Sequence, residues 1–277
     1  MSLMDRIGVD TAGHVRLEDA LDVAAKIGLS YIDVQLDTGD NKVDSFDDAR
    51  CAAVKAKAEK LGVSFGLHTL SAVNVAEFSP FLSEAVDQYL KAYIDVAPKL
   101  GAKYIVVHAG YHFTADKEQR MHVGRERLKR MAAYAEKQGA LLLLENMNKE
   151  PEDAEVHYLA HTVDEWKYYF DEINSPALGL SFTANHAHLV PDGIEGFVDA
   201  IPMDRLAEVR LADCFRNGKE EHLMIGEGNL DFGAMFALLE GKGFRGNYVN
   251  AFVSLEAMLT GRQMLVGLAR DAGVEVD

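Results

Sequence analysis

Histidine and carboxylate side chains recur at the ends of short apolar runs in this sequence. His68 closes FGLHTL, His108 closes IVVHAG and Glu145 closes LLLLENM; His186 and His188 leave SFTANHAHLV, and Asp213, Glu220 and His222 lie in and just after EVRLADC. Neutral imidazole is the commonest protein ligand for a metal ion, and carboxylates complete such sets. One strand-end histidine is ordinarily a satisfied polar residue. Imidazoles and carboxylates at four or five successive ends point to a metal-type site, provided the fold draws those ends together. SFTANHAHLV itself carries no carboxylate at its exit, only Thr183 and Asn185.

The elements that must do the positioning are legible as an alternation. RIGVD, YIDVQL, VSFGLHTL, YIVVHAG, ALLLLENM, ALGLSFTA, EVRLADC and NYVNAFV read as short, mostly buried strands. Between them run segments such as LEDALDVAAKIG and RERLKRMAAYAEKQG, whose apolar residues recur at three and four, and several end on a glycine suited to a left-handed helix terminus: Gly28, Gly62, Gly101 and Gly139. About eight such units in one chain predict an α/β fold, a single (β/α)8 TIM barrel over residues 1–277, with the functional residues at the C-terminal strand ends. A doubly wound sheet is the rival, but DTAGHV after the first strand holds one glycine and no phosphate-binding fingerprint.

The chain has 277 residues, of which 48% are hydrophobic, enough for a large core. No apolar run is long enough to span a bilayer, and MSLMDRIGVD lacks a basic segment followed by an apolar one, so the expectation is a cytoplasmic protein with no membrane partner. Cys51 and Cys214 offer no disulfide framework and read as small buried hydrophobes. With 44 acidic against 28 basic residues the formal net charge is −16, which disfavours nucleic acid as a partner. The expected partners are a small-molecule substrate and, as an option, further copies of the chain in a homo-oligomer.

GLHTL, VVHAG, LLLEN, NHAHL and EEHLMIGEGNLDF, in this order, resemble the xylose isomerase-like TIM barrels, the superfamily of endonuclease IV, ketohexose epimerases and inositol-catabolism enzymes. The resemblance covers nearly the whole chain. In the three-metal nuclease pattern it implies that His68, His108 and Glu145 hold one ion, and that His186, Glu220 and His222 hold a second, with Glu220 where an Asp is usual. The remaining ion of that pattern is bridged by Glu145 and bound by an Asp, a His and a Glu on strands six to eight; here those places hold Thr183, Arg210 and Ala251 or Phe252. It is also the ion of the sugar epimerases, in which two glutamates on opposite sides of the substrate act as acid and base. This chain keeps one of them, Glu145.

The resemblance thus implies an isomerase- or epimerase-like enzyme for a small sugar, polyol or sugar-derived acid, with Glu145 catalytic and Zn²⁺ or Mn²⁺ suited to the mixed nitrogen and oxygen donors. His186, His188, Arg210 and Arg216 are the implied substrate contacts, the last matching a substrate-contacting arginine of the epimerases. Arg210 cannot ligate a cation, so it would replace a divalent charge by a monovalent one and pair with Glu145, Asp213 or an acidic substrate. An endonuclease IV-like phosphodiesterase and a non-catalytic ligand-binding barrel are the alternatives.

The charge balance generates a direct expectation. Duplex DNA of ordinary sequence should show no salt-dependent micromolar complex at physiological ionic strength, because the surface lacks the excess of lysine and arginine that releases counterions. Fluorescence anisotropy with labelled duplex at two salt concentrations checks it.

Overall fold

The computed structural model describes residues 2–11 and 15–276, so residues 12–14 of the DTAGHV segment lie outside the described residues. Eight strands close a parallel barrel: β1 (Ile7–Asp10), β2 (Tyr31–Gln35), β3 (Ser64–His68), β4 (Ile105–Val107), β5 (Leu142–Glu145), β6 (Leu178–Thr183), β7 (Leu206–Leu211) and β8 (Asn247–Asn250). Each neighbours the next, and β8 returns to β1. Helices link them, the longest being Asp48–Leu61, Pro80–Leu100, Lys117–Gln138 and Leu255–Asp271. The expected (β/α)8 architecture is therefore the one observed. The four glycines expected at helix ends take positive φ, between 68° and 75°. Among the described residues no helix is long and apolar enough to cross a membrane.

The core divides into two shells because a strand in a closed barrel faces helices on one side and the axis on the other. The outer shell packs Val9, Ile32, Val34, Phe65, Leu144 and Phe182 against the helices, with Cys51 also buried there. The inner one gathers Tyr31, Tyr104, Val106, Leu143, Val249 and Ala251 on the axis. Gly66 makes this possible. A Cβ there would fall 2.2 Å from the Tyr31 hydroxyl and 3.1 Å from Asp33 Oδ1, so only a residue without a side chain lets the tyrosine cross the barrel.

Strand ends fall slightly short of the sequence reading. β4 stops at Val107, so His108 stands one residue beyond it, and β7 stops at Leu211, so Asp213 lies past the strand in an isolated bridge to Leu223. β8 stops at Asn250, after which Phe252 takes φ 72° and turns the chain away from the extended path expected through Val253. A two-stranded antiparallel ribbon, Tyr111–His112 with His157–Tyr158, joins the loops after β4 and β5. The alternation pattern gave no sign of it, since two residues carry no periodicity.

The chain returning from this ribbon toward the helix Val163–Phe170 is pinned by one carboxylate. Ala160 adopts φ 65°, its carbonyl accepts from Met147 N–H at 3.0 Å, and its own N–H donates to Glu165 Oε2 at 3.0 Å. Burial acts to raise the Glu165 pKa, but His161 and Lys117 outweigh it and hold the carboxyl at about 2. A depressed carboxylate contributes stability that is present above its unfolded value, near 4.5, and is lost as pH falls towards 2. Glu165→Gln should therefore lower stability by about 2 kcal/mol at pH 7, with the gap from the parent closing between pH 4.5 and 2; urea melts across that range test both.

Candidate functional site

At the C-terminal end of the barrel a cavity of about 610 Å³ opens between the loops, within the size range of small-molecule sites. Its floor is built by strand register. β3 brings up His68, β4 delivers His108 and β5 ends on Glu145; all three are buried and line the cavity. His68 Nε2 lies 3.0 Å from His108 Nε2, and the two lie 3.4 Å and 3.2 Å from Glu145 Oε2. The far sides of both rings face acceptors: His68 Nδ1 is 3.3 Å from Asp33 Oδ2, and His108 Nδ1 is 3.4 Å from Thr69 Oγ1, a hydroxyl that itself donates to the Val106 carbonyl at 2.9 Å.

This pattern decides what the group can hold. A neutral imidazole has one N–H. If both rings spend it on Asp33 and Thr69, two nitrogen lone pairs and a carboxylate oxygen converge with no donor among them, an arrangement that needs a cation at its centre. For ligand bonds of about 2.1 Å the edge of a tetrahedron is about 3.4 Å, close to the three spacings observed. The donor set thus fits a divalent ion. A proton is the smaller cation that answers the same geometry: burial and Arg210 push His68 down, but hydrogen bonds with Asp33 and Glu145 outweigh them and lift it to about 9. Burial holds His108 below its ordinary value, and His108 and His68 together hold Glu145 well below the carboxylate range despite burial.

A second group stands higher in the mouth. His186, in the short helix Ala184–His188, donates from Nδ1 to the Asn146 carbonyl at 2.8 Å, which turns its Nε2 towards Glu220 Oε1 at 2.9 Å. His222 Nε2 meets the same oxygen at 2.9 Å, and its ring stacks on Phe252 with centroids 4.4 Å apart. The three donor atoms lie within 4.8 Å of one another, as do those of His68, His108 and Glu145. Glu220 and His222 sit on a loop, and a buried carboxylate organises it. Asp213 accepts from the N–H groups of Gly226 at 2.9 Å, Gly228 at 3.0 Å and Leu230 at 3.2 Å. A Cβ at Gly228 would come within 2.3 Å of Asp213 Oδ1, so the backbone can wrap the carboxylate this closely only without a side chain.

Arg210 is buried beneath the cavity, and its partners differ from those expected. The guanidinium pairs with Asp33, with Asp10 Oδ2 at 2.9 Å and with Glu208 Oε1 at 3.5 Å; Glu145 and Asp213 are not among its ion-pair partners among the described residues. The reason is geometric: a side chain on β7 that points to the axis reaches across to β1 and β2, whereas Asp213 has turned into its loop and Glu145 is engaged elsewhere. Glu145 Oε1 accepts the Thr183 hydroxyl, so threonine here orients a carboxylate. Asp33 and Asp10 hold Arg210 well above the ordinary guanidinium value against burial, while burial and the charge of Asp33 push Glu208 up to about 7. Tyr31 and Ser181 donate to Glu208 from either side, at 3.2 Å and 3.0 Å.

Of the substrate contacts expected from the sequence, His186 and Arg210 line the main cavity. His188 and Arg216 line a neighbouring hollow instead; His188 Nε2 is 2.9 Å from Asn229 Oδ1, and Arg216 donates to the Val190 and Pro191 carbonyls. Asp10 and Asp33 were missed by the sequence reading. Their place as inward-pointing acids on strands that otherwise read as buried, IGVD and YIDVQ, was the available signal.

Fold and site together define a (β/α)8 barrel with a mouth lined by histidine and carboxylate groups. The chain belongs to the xylose isomerase-like TIM barrel family, whose profile matches residues 21–256. No curated protein matches the sequence. Among solved structures it is similar to a D-tagatose 3-epimerase-like protein, with 20% identity, a TM-score of 0.82 and coverage of 97% of this chain and 98% of that one. A D-psicose 3-epimerase from Clostridium cellulolyticum H10, solved with D-tagatose, is 15% identical with a TM-score of 0.79, covering 97% and 99%. A 3-keto-D-glucoside 4-epimerase from E. coli is 16% identical with a TM-score of 0.73, covering 96% and 99%. At these identities the likeness is one of fold.

The Asp213 loop generates a prediction. Asp213→Ala removes the acceptor of four backbone N–H groups, those of Cys214, Gly226, Gly228 and Leu230, and should destabilise the protein by roughly 3 kcal/mol, with new proteolytic cleavage between residues 214 and 230. Unchanged melting and an uncut loop would show that the backbone holds itself without the carboxylate.

Proposed function

We propose that the protein is a metal-dependent isomerase- or epimerase-like enzyme acting on a small sugar, polyol or sugar-derived acid, and that of these two reactions it performs isomerisation. The observation that carries the reading is the convergence of His68 Nε2, His108 Nε2 and Glu145 Oε2, three possible ligand atoms spaced 3.0–3.4 Å apart on the cavity floor. Zn²⁺ or Mn²⁺ suits this group, and His186, Glu220 and His222 make the second candidate position. A bound divalent ion supplies a Lewis acid that polarises a carbonyl or hydroxyl pair and eases enediolate formation.

The preference for isomerisation follows from the proton carriers. Inverting a hydroxyl-bearing carbon requires a proton to leave one face and return to the other, which takes two carriers on opposite sides. Shifting a proton between adjacent carbons along one face takes one. Glu145 is available for that role, its Oε1 oriented by Thr183. Across the mouth the exit of β8 supplies Asn250, whose amide donates to the Met258 carbonyl at 2.7 Å, then Ala251 and Phe252, none of them an acid or base that can take a proton from carbon or return one. We assign His186 and Arg210 to substrate on the polar side, and Phe252, Val253, Leu255 and Met258 to the apolar wall that meets its C–H face.

The experiment is turnover of an aldose and ketose panel by Mn²⁺- or Zn²⁺-loaded protein in D₂O, followed by NMR. Aldose–ketose interconversion with deuterium entering at one of the two interconverting carbons is expected, abolished by chelator and reduced at least about 100-fold in Glu145→Gln. Ketose inverted at an interior carbon with no aldose formed would overturn the isomerase assignment. The His186, Glu220 and His222 group favours a second reading, metal-dependent phosphodiester hydrolysis; cleavage of abasic DNA by the loaded protein, with no sugar turned over, would establish that one instead.

A further inference from the structure

The two candidate metal groups are supported differently from behind. His186 rests on a neutral backbone carbonyl, that of Asn146. His68 rests on a carboxylate: its Nδ1 is 3.3 Å from Asp33 Oδ2, and the same oxygen accepts the Arg210 guanidinium. Asp33 is fully buried on β2, and its Oδ1 has no hydrogen-bond partner among the described residues; it faces Gly66, where a Cβ would fall 3.1 Å away. An acceptor at Nδ1 takes the single proton of a neutral imidazole and leaves the lone pair on Nε2, the atom that faces His108 and Glu145. A charged acceptor does more than a carbonyl, because it also makes the ring a stronger electron donor.

We infer that Asp33 is the positioning residue of the buried group: it fixes His68 with its proton on Nδ1 and strengthens Nε2 as a ligand, while Arg210 holds Asp33 in place as its counter-ion. The inference rests on the reading that His68, His108 and Glu145 hold an ion. Under it the two metal positions are unequal, and a change at Asp33 reaches one of them alone. Arg210 has a defined part in this arrangement. By sharing Oδ2 with His68 it keeps the carboxylate ionised in the barrel interior and fixes which oxygen the ring meets.

Asparagine separates charge from geometry here. With its carbonyl oxygen in the place of Oδ2, Asp33→Asn keeps an acceptor for both His68 and Arg210, and its amide nitrogen takes the place of the partnerless Oδ1. Asp33→Ala removes the acceptor as well. Ser181→Ala is the control, since Ser181 donates to Glu208 on the same buried floor at 3.0 Å without touching His68. Metal affinities are measured by competition of Zn²⁺ between the protein and a chromophoric chelator. The parent is expected to bind two ions, one of them about 10-fold more weakly in Asp33→Asn and about 100-fold more weakly in Asp33→Ala. The other ion should stay within about twofold in both, and Ser181→Ala should change neither. Unchanged affinities in the Asp33 variants would overturn the inference, as would an equal loss in Ser181→Ala. If Asp33→Ala does not fold, Asp33→Asn decides. If the parent takes up no ion, the reading of the site fails by itself, and the inference is then judged by ¹⁵N NMR of His68 at a pH above the value of about 9 at which its ring becomes neutral: Nδ1–H in the parent with a shift towards Nε2–H in Asp33→Ala or Asp33→Asn supports it, and an identical tautomer throughout overturns it.

Discussion

A single buried oxygen, Oδ2 of Asp33, receives a guanidinium from one side and an imidazole from the other, and the mouth of the barrel is arranged around that meeting. Burying an ion pair in a protein interior is costly unless its partners are placed to satisfy it. Here Arg210 is matched by Asp33 on β2 and Asp10 on β1, with Glu208 on its own strand, so the charge is answered jointly by β1, β2 and β7. Two of the contributing strands, β1 and β7, become near neighbours only once β8 has closed between them. The ion pairs can form fully only when the barrel is shut, which ties the geometry of the candidate site to completion of the fold.

From that floor the two histidine-containing groups are raised by different means. His68, His108 and Glu145 stand at or one residue past the ends of adjacent strands, where hydrogen-bond register sets their separation. Glu220 and His222 are carried by a loop, and their placement depends on Asp213 gathering the N–H groups of Gly226, Gly228 and Leu230. Strand-borne groups suit a fixed position and loop-borne groups an adjustable one. The exposures agree: the side chains of His108 and Glu145 are each 2% exposed and that of His222 is 37% exposed.

Most of the scaffold was legible because its signal is local. Buried parallel strands announce themselves as short apolar runs, and polar residues that end such runs stand out, which is why His68, His108 and Glu145 could be picked before any coordinate was known. What failed depends on distances across the barrel. Nothing near Arg210 in the chain points to Asp10 or Asp33, some 200 and 177 residues away, whereas Glu145 and Asp213 attracted attention as strand-end acids. Asp213 was visible as an acid at a strand end, but its role depends on a turn whose backbone N–H groups the sequence does not display. His188 and Arg216 show the same limit: two residues along a short helix are enough to send His186 into the cavity and leave His188 facing another hollow.

An ion held by side chains can be stripped, exchanged or replaced by the wrong element, whereas a guanidinium is part of the polymer. Because Arg210 answers the acidic floor from the moment the barrel closes, the scaffold does not have to wait for metal to reach its folded shape, unlike small domains whose ligand sets repel one another until loaded. Under the proposed function, folding and metal acquisition become separate events. Under the metal-dependent function proposed above, a chain made under metal scarcity would persist as a competent receptor, and its activity would report the supply of ions around it while the amount of folded protein would not.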